Sequence, residues 1–364
     1  MKKVFIISNM YPSKEHLSYG IFVKNQVEQL RENGVESVLA VNTNPNTGKV
    51  NVLKKYAKWA LGVFSTFRKH KKDIGLTHSH YVFPSGMFSY RLKMKHGIPY
   101  VVTAHGGDIN KMAKKGGRIK EHTAKILQNA DHVIAVGEEL ASDIKRDFQV
   151  EENRISVMSM GIDRNMFQKP TSKTEVAIKL GMDPNRVNFL FVGNIIREKG
   201  VEELITAFNQ LNEKYPDQAA LYCIGSTKDA SFTEHVKQIA GSNQNVQFIE
   251  PMPQKELAEY FQAANVFVLP SYIEGLGLVA LEAMSCGTPV IASDVGGLHY
   301  MLRDGAGVLV PPKDADSLYI ELEKVVQANG QLLVNEEQVT NLLQLHDSQA
   351  IIHRLKEIYS SYLN

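Results

Sequence analysis

Cysteine is scarce: the 364 residues hold two, Cys223 and Cys286. Both stand in apolar runs, so nothing requires a disulfide framework or a cysteine-rich metal site, and both thiols are expected to be buried and reduced. Long hydrophobic runs are missing too; no stretch approaches the roughly 20 apolar residues of a membrane-spanning helix. Two lysines at the start precede only Val4–Ile7, which predicts a first strand rather than a signal peptide. There is no G-x-G-x-x-G dinucleotide fingerprint, no short-period repeat and no low-complexity tract. What remains, 43% hydrophobic and 22% charged, describes a soluble globular chain with room for two domains.

The net charge of +2 conceals an asymmetry. Residues 1–160 carry 25 Lys/Arg against 14 Asp/Glu, a balance of +11, whereas residues 161–364 carry 16 against 25, a balance of −9. A basic first half calls for an anionic partner: acidic lipid, a lipid-linked diphosphate or nucleic acid. A nucleotide alone would not need so much charge. Within this half, Lys54–Lys72 places Tyr56, Trp59, Ala60, Val63, Phe64 and Phe67 near helical spacing, with lysines and Arg68 at both ends. Such a helix either packs its stripe on its own sheet or lies in a membrane interface. The expectation is a mixture, with the stripe partly inward and the basic ends on anionic lipid.

Apolar β-rich runs alternate with helical patterns along the whole chain. Lys3–Ser8 reads as a strand, the loop to Gly20 leads into a helix from Ile21, and Val38–Val41 is the next strand. This rhythm predicts parallel, doubly wound sheets, which bind ligands at the carboxyl ends of their strands. His78 and His80 close one strand on a shared face, but no third metal ligand follows. Tyr100–Asp108 delivers His105 onto a glycine loop, with Asp108 beyond it. Asp314-Ala315-Asp316 looks like a metal-binding D-x-D motif, yet it directly precedes an amphipathic helix and is better explained as its cap.

The most informative stretch is Asn265–Gly297. Val266–Leu269 is a buried strand stopped by Pro270. A short loop follows, then an apolar helix from about Leu278 to Cys286, ended by Gly287. Gly275 and Gly277 flank the helix start, where free N–H groups and the helix dipole favour a phosphate. Glu282 interrupts an apolar helix, and a buried carboxylate is costly unless hydroxyl or N–H donors meet it. An ordinary strand–loop–helix with its glutamate tipped to solvent would read the same way.

The run from Glu274 to Ser293 strongly resembles the nucleotide-sugar signature of retaining glycosyltransferases of family 4, with two glutamates, Glu274 and Glu282, separated by seven residues. The H-G-x-D element at His105 and the element Met160–Phe167 are similar to that family as well. The resemblance implies the α/β GT-B architecture, two doubly wound Rossmann-like domains facing across a cleft. It places an acceptor-binding domain at 1–167, a nucleotide-sugar domain at 168–345 and a returning C-terminal helix at 346–364. It implies catalytic roles for His105, Glu274 and Lys199. Donor contacts would come from Gly20, Arg197, Lys199, Glu274, Gly275, Leu276, Gly277, Leu278 and Glu282, with Glu282 on the ribose hydroxyls and Asp108 on the acceptor or fixing its loop. His105 would touch the donor sugar rather than act as a base.

Some positions depart from the family pattern. Asn194 stands where an arginine is usual, Tyr19 replaces one of two loop glycines, Met160 replaces an asparagine and Gly137 a serine. Arg197 is the candidate to restore the missing charge.

The implied activity is transfer of a hexosyl or N-acetylhexosaminyl group, with retention and without a metal or other cofactor, from a nucleotide-sugar such as a UDP-sugar to a saccharide or lipid-linked saccharide of a bacterial surface polysaccharide. A cytoplasmic location is expected, peripheral on the inner face of the plasma membrane through residues 54–72, with no nucleic-acid partner. The alternatives are a soluble transferase with a small-molecule acceptor, an epimerase of the same architecture, and a non-catalytic protein binding anionic lipid or nucleic acid.

Overall fold

A computed structural model describes residues 2–46, 49–112, 116–227 and 229–363. The chain divides into two units, residues 1–161 with 348–364, and residues 162–347.

The first unit holds six parallel strands: β1 Lys3–Ser8, β2 Ser37–Val41, β3 Ile74–His80, β4 Tyr100–Ala104, β5 His132–Ala135 and β6 Ile155–Val157. Their order is β2-β1-β3-β4-β5-β6. The helices are α1 Ile21–Glu32, α2 Lys49–His70, α3 Ser85–His96, α4 Gly117–Asn129, α5 Glu138–Phe148 and the C-terminal Ser348–Ser360. The central strands β1, β3 and β4 are almost wholly buried because helices cover both faces of the sheet. On one face Val4, Ile6, Val23, Val27 and Leu30 pack with Ile351, Ile352 and Leu355 of the C-terminal helix. On the other, Phe5 and Ile7 pack with Trp59, Val63 and Phe67 of α2 and Phe88 and Leu92 of α3.

That second layer bears out the inward half of the expectation for residues 54–72. Trp59, Val63 and Phe67 are buried, Tyr56 and Ala60 pack beside them, and the Trp59 indole N–H donates to the Ala40 carbonyl at 3.0 Å. Burying each large side chain is worth about 1.5–3 kcal/mol, so the stripe belongs to the core and is not a lipid-facing surface. Phe64 alone of those six residues remains exposed.

The second unit repeats the plan. Its strands are β7 Val187–Val192, β8 Ala219–Ile224, β9 Val246–Ile249, β10 Val266–Leu269, β11 Val290–Ser293 and β12 Val308–Val310, ordered β12-β11-β10-β7-β8-β9. The helices are α6 Lys173–Lys179, α7 Val201–Lys214, α8 Ala230–Ala240, α9 Gln254–Ala263, α10 Leu278–Ser285, α11 Gly296–Leu302, α12 Ala315–Gln327 and α13 Glu336–Leu345; the C-terminal helix of the first unit is α14. Ile162 and Phe167 are buried in this second core. Asp314 caps α12, its Oδ1 accepting from the Ser317 N–H at 2.9 Å, and both cysteines are buried and free. Among the described residues, no helix is long and apolar enough to cross a membrane.

Each sheet has one point where successive connections leave in opposite directions, between β1 and β3 in the first and between β7 and β10 in the second. The loops at the carboxyl ends of these strands diverge and leave a crevice. The residues singled out from sequence end or follow those strands.

Candidate functional site

In the second unit the crevice is framed by the loop after β7, residues 193–200, and the loop after β10, residues 270–277. Lys199 reaches across from the first to Glu274 on the second, Nζ to Oε2 at 2.6 Å. Both are largely but not fully buried, and Ser271 Oγ donates to the same carboxylate oxygen at 3.3 Å. The backbones are joined as well, the Tyr272 N–H donating to the Glu198 carbonyl at 2.9 Å. The ion pair therefore sits on two cross-braced loops.

Arg197 does not join it. Its guanidinium pairs with Glu202 at 2.9 Å and lies 5.3 Å over the Phe232 ring. The partners of Arg197, the candidate to restore the charge missing at Asn194, lie instead in the first turn of α7 and the first turn of α8. Lys199 is the cation that meets the glutamate motif.

Gly277 starts α10 with φ +84°, in the left-handed region, and a Cβ there would come within 2.6 Å of Leu298. Only glycine fits comfortably. Among the described residues no side chain caps this helix, which leaves its first N–H groups for another acceptor. Leu276 and Leu278 are half-buried and Gly275 is exposed, while the Gly275 carbonyl is held by the Gly297 N–H at 2.9 Å. One turn into α10, half-buried Glu282 accepts from Gln254 Nε2 at 3.2 Å. Desolvation among apolar neighbours pushes its carboxyl up to about 8, against a smaller opposing effect of the Gln254 bond. A carboxyl so placed gains from any hydroxyl donor that reaches it.

In the first unit, residues from β1, β3 and β4 form a second constellation. The parallel register sets His80 beside Thr103 and His78 beside Val101. His78 is fully engaged, Nδ1 with the Tyr359 hydroxyl at 2.5 Å and Nε2 with Thr103 Oγ1 at 2.8 Å. His80 Nδ1 lies 3.3 Å from His105 Nε2, and the buried His80 Nε2 has no hydrogen-bond partner among the described residues. Burial holds all three imidazoles neutral: it pushes His80 down to about 3, and His78 and His105 well below the usual histidine value, with neighbouring imidazoles adding to the effect. The His105 ring is flanked by Tyr81 at 4.4 Å and Phe22 at 5.1 Å between centroids.

Asp108 is buried and committed to the backbone. Its Oδ2 accepts from the Val82 N–H at 2.7 Å and its Oδ1 from the His105 N–H at 3.1 Å. Burial pushes its carboxyl up to about 6 despite these bonds. Of the two roles expected for Asp108, this geometry is that of a loop tie between the ends of β3 and β4, not of a free acceptor ligand. Gly20, at the start of α1, has φ +73°, and a Cβ would strike the Met10 carbonyl at 2.6 Å. Here too glycine is required by the turn itself.

The structure thus brings together Lys199, Glu274, the Gly275–Leu278 backbone and Glu282 on one edge, and His80 and His105 at strand ends of the other, with Gly20 at the start of α1. Sequence reasoning did not find Gln254 as the partner of Glu282, Ser271 on Glu274, or the His80–His105 contact. Ser271 stands three residues from Glu274, which is a usable signal; the other two depend on tertiary register.

Comparison with known proteins places these constellations. The profile described as "Glycosyltransferase Family 4" matches residues 20–165 and that described as "Glycosyl transferases group 1" matches residues 172–338. The chain is 32% identical over 270 residues to D-inositol 3-phosphate glycosyltransferase 2 of Catenulispora acidiphila, spanning 70% of this chain and 63% of that protein. It is 30% identical to alpha-maltose-1-phosphate synthase of Mycobacterium tuberculosis, spanning 86% of this chain and 85% of that one. Identity is 26% to the Bacillus subtilis protein TuaC, named for teichuronic acid biosynthesis, over 87% of each chain. Among solved structures, sucrose-phosphate synthase of Thermosynechococcus elongatus superposes with a TM-score of 0.81 at 24% identity over 99% of each chain, a likeness of fold. Both halves of the chain match, and so does nearly the full length of a 30%-identical relative: this chain belongs to the family 4 glycosyltransferases and has their GT-B fold.

Proposed function

We propose that the protein transfers a glycosyl group, with retention of configuration, from a nucleotide-sugar to a saccharide or lipid-linked saccharide acceptor in surface-polysaccharide synthesis. The observation that carries this reading is the Lys199–Glu274 pair at 2.6 Å, set beside the uncapped start of α10 with Glu282 one turn in. The uncapped N–H groups and Lys199 suit the donor diphosphate. Glu282 suits the ribose hydroxyls, and Glu274 the donor sugar.

In the reaction, the bond from the sugar anomeric carbon to the diphosphate oxygen breaks with its electrons going to that oxygen. The acceptor oxygen forms the new bond on the same face, and its proton passes to the departing diphosphate. Lys199 and the α10 N–H groups stabilise the charge that develops on the leaving oxygen. No metal or other cofactor is part of this proposal; Lys199 supplies the counter-charge. His105, kept neutral by burial, serves as a hydrogen-bond partner to the sugar and not as an acid–base group. The transferred unit is a hexose or N-acetylhexosamine, and a UDP-sugar is the first donor to try.

The excess of cations in residues 1–160 favours an anionic acceptor. A saccharide on a lipid diphosphate meets that requirement and would bring the protein to the inner membrane surface as a peripheral protein. The name of TuaC, in teichuronic acid biosynthesis, is in line with it. A second reading, a soluble transferase acting on a small phosphorylated acceptor, is favoured by the names of two other relatives, which specify D-inositol 3-phosphate and alpha-maltose-1-phosphate.

The test is a panel of UDP-, GDP- and ADP-sugars scored by thermal shift and by slow donor hydrolysis, with Glu282→Ala as control. One donor should stabilise the wild type and not the variant. No response to any of them, or an unchanged response in the variant, sinks the donor-site assignment. Adding lipid-linked against phosphorylated soluble acceptors then separates the two readings.

A further inference from the structure

Residues 37–107 carry 11 Lys/Arg and a single acid, Asp73. They build α2 and α3, which lie side by side: the Phe88 ring meets Trp59 at 5.1 Å and Phe64 at 5.7 Å, both edge-on. Because Trp59, Val63 and Phe67 are turned to the sheet, the opposite side of α2 is left to solvent. That side is not polar. Leu53 is 74% exposed, Leu61 72% and Phe64 43%, and helical geometry brings the three within about 80° of one another around the axis. Arg68 falls in the same arc, and Lys54 and Lys58 on its flank. All three cations are exposed, and none of them is in an ion pair among the described residues. On α3, Met94 is 54% exposed as well.

Exposed leucines ringed by unpaired cations, with no acid on either helix, fit one class of partner: an apolar layer beneath a negatively charged surface. We propose that the outer face of α2 docks the protein on an anionic lipid bilayer. Leu53, Leu61 and Phe64 enter the headgroup–acyl boundary, and Lys54, Lys58 and Arg68 meet lipid phosphates. A nucleic acid would engage the cations but gain nothing from the leucines. The inference rests on the membrane-surface reading above and deepens it, replacing the inward aromatic stripe by a different set of contact residues.

The experiment is flotation of the full-length protein with phosphatidylcholine vesicles, with and without phosphatidylglycerol, at physiological ionic strength. Variants are Leu53→Ser with Leu61→Ser, and Lys58→Glu. All three positions are exposed, so melting temperatures should stay at the wild-type value. The wild type should float with phosphatidylglycerol vesicles only. The double serine variant should bind about tenfold or more weakly with its charge unchanged, and Lys58→Glu about fivefold or more weakly. If the wild type floats and the serine variant floats equally well, the assigned face is wrong while the membrane reading stands. If the wild type does not float, both fall; transfer to a water-soluble acceptor, measured in parallel, shows whether the transferase reading survives. Displacement from vesicles by a single-stranded oligonucleotide at equal phosphate concentration would assign the face to nucleic acid instead.

Discussion

At the carboxyl edge of the first sheet, burial keeps three imidazoles neutral; at the same edge of the second, a lysine and a carboxylate meet at 2.6 Å. The scaffolds are alike, each with six parallel strands and a crevice where the winding reverses. The difference lies in what ends the strands. β3 and β4 deliver histidines and small residues into a packed aromatic setting, and Asp108 is taken up by backbone N–H groups. β7 and β10 deliver glycines and charges onto loops, and the helix that follows starts uncapped. The first edge presents neutral hydrogen-bonding groups, suited to hydroxyl-rich molecules. The second presents fixed charge, suited to a diphosphate leaving group.

This contrast can be broken most sharply at Lys199. Lys199→Ala removes the cation that meets Glu274, and glycosyl turnover should fall by about 100- to 1000-fold. The pair is partly exposed, so the melting temperature should barely move. Steady-state kinetics on the donor found by the panel decide it; a variant with wild-type kcat would show that the charge at this edge is structural only.

Glu282→Gln comes next, with effects on binding and stability that oppose each other. Desolvation pushes the Glu282 carboxyl up to about 8 in the folded chain, from an ordinary value of 4.5. Between these values the folded state holds a proton that the unfolded chain has lost. Wild-type stability therefore falls as pH rises through this window and stays lowered above it. Glutamine has no such titration. The variant should be more stable than the wild type at mildly alkaline pH, by on the order of 1 kcal/mol, while nucleotide-sugar affinity drops about tenfold. Melting curves across pH, paired with calorimetric titration, would reveal it. Equal pH profiles for the two proteins would mean that Glu282 is solvated after all.

Much of the second edge was legible in the chain because its elements are local. The strand at Val266–Leu269, the glycine at 277 and the helix to Ser285 follow one another without a gap, and the cap at Asp314 lies directly before its helix. The first edge was less legible because its contacts are not local. His80 and His105 are 25 residues apart and meet only through the β3–β4 register. Gln254 reaches Glu282 from another helix, 28 residues away. In α2, apolar residues occupy most of the circumference, so periodicity identifies a helix but not which side faces the sheet; the tertiary partners Phe5, Phe88 and Ala40 decide that. Arg197 was assigned by proximity to Lys199 in sequence, yet the turn before α7 aims it at Glu202.

Asp108→Asn sharpens the comparison from the structural side. The amide keeps one acceptor oxygen and turns its NH2 toward one of the two backbone N–H groups. Loss of that tie should cost about 1–3 kcal/mol, which lowers the melting temperature by several degrees in a unit of this size. Donor-induced stabilisation measured on the second unit's site should be unaffected. If instead the fold is unchanged and only acceptor KM rises, Asp108 contacts the acceptor and the two edges are less different than drawn here.

The smallest expected effect is at His80, and it concerns a proton's position. Two neutral imidazoles joined through His80 Nδ1 and His105 Nε2 share one proton. If His105 Nε2–H donated, His80 would carry its own proton on Nε2, a buried N–H without a partner. If His80 Nδ1–H donates, only a lone pair is left unpartnered on Nε2, and a buried unsatisfied acceptor is better tolerated than a buried unsatisfied donor. The second arrangement places the proton of His105 on Nδ1, making that atom a donor and not a base. Its ¹⁵N shifts should show this tautomer and remain those of a neutral ring into mildly acidic pH, because burial lowers its pKa. His80→Phe releases the constraint and should raise a substrate KM a few-fold, in line with one neutral hydrogen bond, with kcat nearly unchanged. His80→Asn, whose amide can donate toward His105 Nε2, should recover part of the loss. An Nε2–H tautomer of His105 in the wild-type protein would reverse the assignment and leave its Nδ1 as an acceptor.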